Sequence, residues 1–252
     1  MTAAVASPVF VRPSVRRTSQ SLPAAVGLEV RKSLSTRSGL ALLAAAVLIA
    51  PAAMSIAAGT SSEVLDNVLG PFVVTGMLSA LVLVSLGVLS TAGEWSHGSI
   101  QTTFLLEPRR GRVMATKSVA VALMGAVIAL VATGLSALVL LAMESSASWD
   151  GAGRAVLMVA VAGAVFALIG AGVGAAVGNT PGALTGFYLL ELGVLPTLQV
   201  VKPEVADKID PGNAILDLAQ GAHQALSIII LAVWVGASLV AGAVMNHRRA
   251  VQ

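Results

Sequence analysis

The sequence predicts an all-α, polytopic membrane protein with six transmembrane helices. Two observations carry this. First, 56% of the 252 residues are apolar and 11% are charged, against roughly 25% charged in a soluble domain. The mean hydropathy is +0.90. Second, the apolar residues form continuous runs near the ~20 residues that a helix needs to cross a bilayer. A transmembrane β-barrel would alternate apolar and polar residues instead. A water-soluble globular enzyme cannot bury this much apolar surface, and disorder needs the opposite composition. Cysteine is absent, which excludes disulfides and thiolate metal sites.

The first 38 residues are polar and carry three prolines, Pro8, Pro13 and Pro23. A signal peptide would place a shorter apolar core nearer the start, so a tail to about Leu22 is expected. Ala24–Ser38 then places Val26, Val30 and Leu34 on one face of an amphipathic interfacial helix, with Arg31, Lys32 and Arg37 reaching lipid phosphates. The plainer alternative is that these cations only set topology.

The six spans read Gly39–Ala58, Val68–Ala92, Ser118–Met143, Ala155–Gly178, Ala183–Val201 and Ala225–Met245, which makes 39–245 the transmembrane domain and 246–252 the C-terminal tail. Pro51 and Pro71 are expected to kink or begin helices. Gly170, Gly174 and Gly178 recur every fourth residue in the fourth span, a small-residue stripe suited to close helix packing. The fifth span is interrupted by Glu191 and Pro196. A mid-span carboxylate facing lipid is costly. Glu191 should therefore face a cavity, a partner helix or a dimer axis, as a pathway group or through a structural hydrogen bond to Tyr188 or Thr185. The segment Lys202–Gln224 is amphipathic around Ile209, Ile215 and Leu218, and Pro203, Pro211 and Gly212 break it.

Positive charge sets orientation. Twelve of the fifteen basic residues fall in the N-terminal tail, the second-to-third connection and the C-terminal end. Three acids, Glu29, Glu94 and Glu107, share that face. The other face has three basic residues and eight acids. Both termini are therefore expected in the cytoplasm. A net charge of +3 gives no argument for nucleic acid.

Catalytic chemistry is sparse. His97, His223 and His247 are scattered, no HExxH or GxSxG occurs, and no metal site is expected. Gly111–Ser118 imitates a P-loop but has Thr-Lys-Ser where Gly-Lys-Ser/Thr is needed for backbone amides to wrap a phosphate. No enzymatic activity is expected of this chain.

The informative stretch is Glu94-Trp95-Ser96-His97-Gly98-Ser99-Ile100-Gln101-Thr102-Thr103-Phe104-Leu105-Leu106-Glu107-Pro108-Arg109-Arg110. Trp95 would sit at the lipid boundary. Ile100 and Phe104 share a helical face. Pro108 stops the helix, and the arginines re-anchor the chain. On physics alone this is either a docking helix for a cytoplasmic partner or a loop whose aromatics rest on lipid.

The pattern Glu-Trp-x-x-Gly-Ser-x-x-x-Thr-Phe-Leu-Leu-x-Pro-Arg-Arg, with Lys117 opening the next span, resembles the permease subunits of type-2 ABC exporters. The six spans, the amphipathic N-terminal helix and the long segment between the last two spans extend the resemblance over essentially the whole chain. By that resemblance Glu94, Trp95, Gly98, Ser99, Thr102 and Phe104 would belong to a cytoplasmic coupling helix between spans 2 and 3, docked on a separate ATPase. It also implies short external helices within Lys202–Gln224, where the residues alone allow a plain hydrated loop. The partners would be two ATPase subunits, which hold the ATP and Mg, and a second permease chain, the same or related. Membrane lipid and an amphipathic drug, antibiotic, peptide or lipid substrate complete the set. No cofactor would reside in this chain. Arginine outnumbers lysine 11 to 4, a bias suggesting a GC-rich, actinobacterial source and a bacterial cytoplasmic membrane. The rival readings are a small gradient-driven secondary transporter and a non-transporting membrane scaffold.

Overall fold

The computed structural model describes residues 21–60, 67–143 and 147–249. The N-terminal tail therefore lies outside the described residues, apart from its last two. Those described are helical, without strands. Six helices are long and apolar enough to cross a membrane. They are α2 (Arg37–Thr60), α3 (Leu69–Ser96), α5 (Arg110–Met143), α6 (Ala152–Val177), the interrupted span Thr180–Val201, and α11 (Gln224–Arg248). The interrupted span consists of α7 (Thr180–Leu189), a π-helical segment Leu190–Val194 and α8 (Leu195–Val201). Short helices complete the chain: α1 (Leu22–Leu34), α4 (Ile100–Leu106), α9 (Pro203–Ala206) and α10 (Pro211–Gln220). All six expected spans are present. The largest difference is α5, which starts at Arg110 rather than Ser118, so the connection from the second span is mostly helical.

Helix α6 is the centre, packed on α3, α5 and α11. Its small residues explain why. A β-carbon on Gly170 would collide with the Val84 carbonyl of α3, and one on Gly174 would meet Thr91 and Val88 of the same helix. Gly163 lies just as close to Gly125 of α5, and Gly172 to Ser238 of α11. Backbones this near gain dispersion contacts that lipid cannot supply. Gly178 departs from the expected stripe. It caps α6 in a left-handed conformation (φ 66°) and lies against the Arg249 guanidinium, not a neighbouring helix.

Hydroxyls add cross-links inside the bundle. Ser79 donates to the Ala46 carbonyl at 2.7 Å, joining α3 to α2, and Thr91 donates to the Ala171 carbonyl at 2.9 Å, joining α3 to α6. Phe166, Leu83, Met54 and Leu140 are fully buried between these helices. Pro51 is buried inside α2.

The chain between the last two spans is folded and re-entrant. Pro203 and Pro211 start helices rather than break them, since the first helical turn has no use for the missing N–H. Asp210 caps α10 by accepting from Gly212 N–H at 2.7 Å and Asn213 N–H at 3.2 Å. Just before it, the Ile209 carbonyl accepts from Trp234 Nε1 at 2.7 Å. Trp234 lies about ten residues inside α11, roughly 15 Å from its start at the usual helical rise. The α9–α10 junction thus dips between the spans. Helix α10 then climbs outward with Ala214, Ile215 and Ala219 buried, and Arg154 holds its end through the Leu218 carbonyl at 2.7 Å.

Candidate functional site

At the arginine-rich end of the bundle, α1, the end of α3, α4 and the start of α5 meet. Helix α1 is shorter than expected and stops at Leu34. Thr36 then accepts the Gly39 N–H at 3.0 Å and starts α2. Val30 and Leu34 pack on the core, as the amphipathic pattern requires. The polar face does something else. Lys32, expected at lipid phosphates, instead closes on the Glu94 carboxylate.

Glu94 is only 6% exposed and is held from two sides. Lys117 Nζ of α5 lies 2.9 Å from Glu94 Oε1 and 2.6 Å from Glu29 Oε2 of α1. Lys32 adds a longer approach to Glu29 at 4.0 Å. Two carboxylates and two ammonium groups thus balance in a cluster shared by three helices. Buried charges need this pairing, because one left alone costs several kcal/mol. Glu94 Oε2 has no hydrogen-bond partner, nor does Asn246 Oδ1. Both residues line a small cavity beside Lys117.

Trp95 packs edge-on against Phe104, with ring centres 6.4 Å apart. Each ring carries an arginine: Arg110 over Phe104 at 4.9 Å and Arg249 over Trp95 at 5.3 Å. The same arginines cap helix ends. Arg249 donates to the Ala175 carbonyl at 2.9 Å, and also to that of Ala176, at the end of α6. Arg110 donates to the Asn246 carbonyl and, at 2.9 Å, to the Arg249 carbonyl beyond α11. Cations at helix C-termini satisfy orphan carbonyls and the helix dipole together.

The sequence expectation for this region needs one correction. Glu94 and Trp95 belong to the last turn of α3, and Gly98 and Ser99 precede the short helix, which of the expected residues holds Thr102 and Phe104. The run Ser90-Thr91-Ala92-Gly93 before them contains no proline, and the helix continues through Ser96. Gly98 then turns the chain at φ 68°, a conformation that strains other residues. Ser99 leads into α4, Ile100 points inward at 6% exposure, and Thr103 reaches the cluster with its hydroxyl 3.5 Å from Glu94 Oε1. Outward, Ser99, Thr102 and Leu105 are exposed, Leu105 by 77%.

A second group of residues lies under the re-entrant pair. Glu191 falls in the π segment and is 9% exposed, with Oε2 buried and unpartnered. Pro196 lacks the N–H that would regularise the preceding turn, and Leu195 N–H bonds back to the Leu190 carbonyl instead. The expected hydrogen bond to Tyr188 is not made. That hydroxyl donates to the Leu81 carbonyl at 2.9 Å and pairs with Ser85 at 2.7 Å. Asp210 lies close by, and burial pushes its carboxyl above the ordinary carboxylate range, against the lowering effect of its two backbone donors. No group of three or more metal-ligating side chains occurs among the described residues.

Comparison with known protein families gave no match, and comparison with curated proteins gave none either.

Proposed function

We propose that this chain is the membrane-spanning permease subunit of an ATP-driven exporter, sited in a bacterial cytoplasmic membrane with both termini inside. Two such chains, identical or related, would enclose the path of an amphipathic substrate. Separate ATPase subunits would supply the energy. The observation that carries this reading is the mounting of α4. This helix is too short and too exposed on its outer face to serve the bundle core. It is nevertheless fixed to α1, α3 and α5 through the Glu94 cluster and the Trp95–Phe104 contact. A rigidly held, outward-facing element at the ends of two spans is what a motor subunit needs in order to move them. Ser99, Thr102 and Leu105 would form the docking face. Gly98 would set its angle. Glu94, Trp95 and Phe104 would pass the displacement to α3.

The test is functional coupling. Phe104→Ala should leave the bundle folded and reduce substrate-stimulated ATP hydrolysis by the assembled complex. Full coupling in both Phe104→Ala and Trp95→Ala would remove α4 from the mechanism. A gradient-driven transporter would instead move substrate without any ATPase.

A further inference from the structure

The re-entrant junction and the fifth span bring two acidic side chains to one spot. A β-carbon placed on Gly212 would lie 3.0 Å from Asp210 Oδ1, 3.9 Å from Glu191 Oε1 and 3.5 Å from the Met77 methyl. The Gly212 backbone therefore meets two carboxylates and one polarizable apolar wall at a single point. Asp210 Oδ1 is occupied by its two capping N–H groups. The buried Oε2 of Glu191 lacks any hydrogen-bond partner.

Charge balance makes this more pointed. The ion pairs of the described residues all lie at the opposite, arginine-rich end. Lys202 and Lys208, the cations nearest in sequence, pair with neither acid, and Arg154 is committed to the Leu218 carbonyl. Asp207 nearby adds a further negative charge, which Gln199 and Asn213 contact through neutral amides. Neither acid is therefore paired with a cation among the described residues. No third metal-ligating side chain joins the two carboxylates among the described residues, and the wall beside them is a methionine, which suits a soft apolar body. Leu192 and Val194 on the same π segment are exposed at 60% and 48%, on the surface that faces lipid or a second chain.

We infer that Glu191, with Asp210 beside it, binds the positively charged centre of an amphipathic organic cation, and that such cations are the substrate class of the exporter. The word substrate rests on the proposed function; the binding site does not.

The test uses the purified full chain, with whatever subunits accompany it, in lipid nanodiscs. Two probes of equal shape and opposite charge are compared, tetraphenylphosphonium and tetraphenylborate. Saturable binding of the cation is expected, and Glu191→Gln should weaken it about tenfold or more. Glu191→Asp, which keeps the charge, should stay within a few-fold of the native chain. Asp210→Asn should weaken binding less than Glu191→Gln, and tetraphenylborate should show no loss on either substitution. Equal cation affinity in the native chain and Glu191→Gln would overturn the inference. So would the absence of saturable cation binding, or equal losses in Glu191→Gln and Glu191→Asp. The two readings fail separately. Charge-dependent binding in a preparation that never associates with an ATPase would overturn the exporter but leave this site standing. An associated ATPase with cation binding indifferent to Glu191 would do the reverse.

Discussion

Lys117 Nζ lies 2.9 Å from Glu94 Oε1 across the interface between the third and second spans, with both side chains almost fully buried. The same nitrogen holds Glu29 of α1 at 2.6 Å. One ammonium group therefore ties the N-terminal helix to the span ends that carry α4. Replacing it with methionine leaves two carboxylates to share the single, half-exposed Lys32 ammonium. Lys117→Met should lose about 3–5 kcal/mol of stability, read as a lower unfolding temperature in detergent. Adding Glu94→Leu should recover part of that loss, because apolar pairs of similar size can replace buried ion pairs.

Packing at the centre gives a contrast within one residue type. Gly170→Ala drives a methyl into the Val84 carbonyl of α3 and should cost about 1–3 kcal/mol. Gly134→Ala meets nothing within 4 Å on α5 and should be neutral or slightly stabilising. Thermal unfolding of the two variants side by side checks the close approach of α6 to α3.

Asp210 makes a pH prediction. Its carboxyl is raised in the folded protein by burial, so folding favours the protonated form. The associated stability is present in acid and is lost as pH rises through the folded value. Asp210→Asn keeps the helix cap but removes the charge. It should raise the unfolding temperature near neutral pH and flatten the profile on the alkaline side. Native protein that gains stability over that same rise would contradict this account of Asp210.

The aromatic pair gives a prediction about coupling. Phe104→Ala removes the Trp95 contact and the ring beneath Arg110, worth about 0.5–1.5 kcal/mol. A small change in unfolding temperature is expected beside a large fall in substrate-stimulated ATP hydrolysis by the complex.

What was legible in the sequence follows from the range of the forces involved. The six spans are local: a run of apolar residues in one stretch suffices, and the helices appear where the runs are. Helix α1 was legible from its apolar stripe, but the partner of Lys32 was not, because Glu94 is 62 positions away. Glu191 stood out as a carboxylate in an apolar run. Its approach to Asp210 did not, since it depends on α9 and α10 folding back. Those helices are too short to register as spans, and Pro203 and Pro211 look like breakers until they are seen at first helical positions. The end of α3 was misjudged because Glu94, a charge that would ordinarily mark the membrane boundary, is paired and buried there.

The central claim is that a separate ATPase drives this chain. Its most direct test is to tag the protein, express it from its native operon and purify it from the membrane under mild conditions. The account predicts that an ATPase subunit co-purifies in equal amounts and that its hydrolysis responds to transported substrate. A preparation that transports substrate with no ATPase attached, and with Glu94 and Trp95 variants fully active, would contradict it.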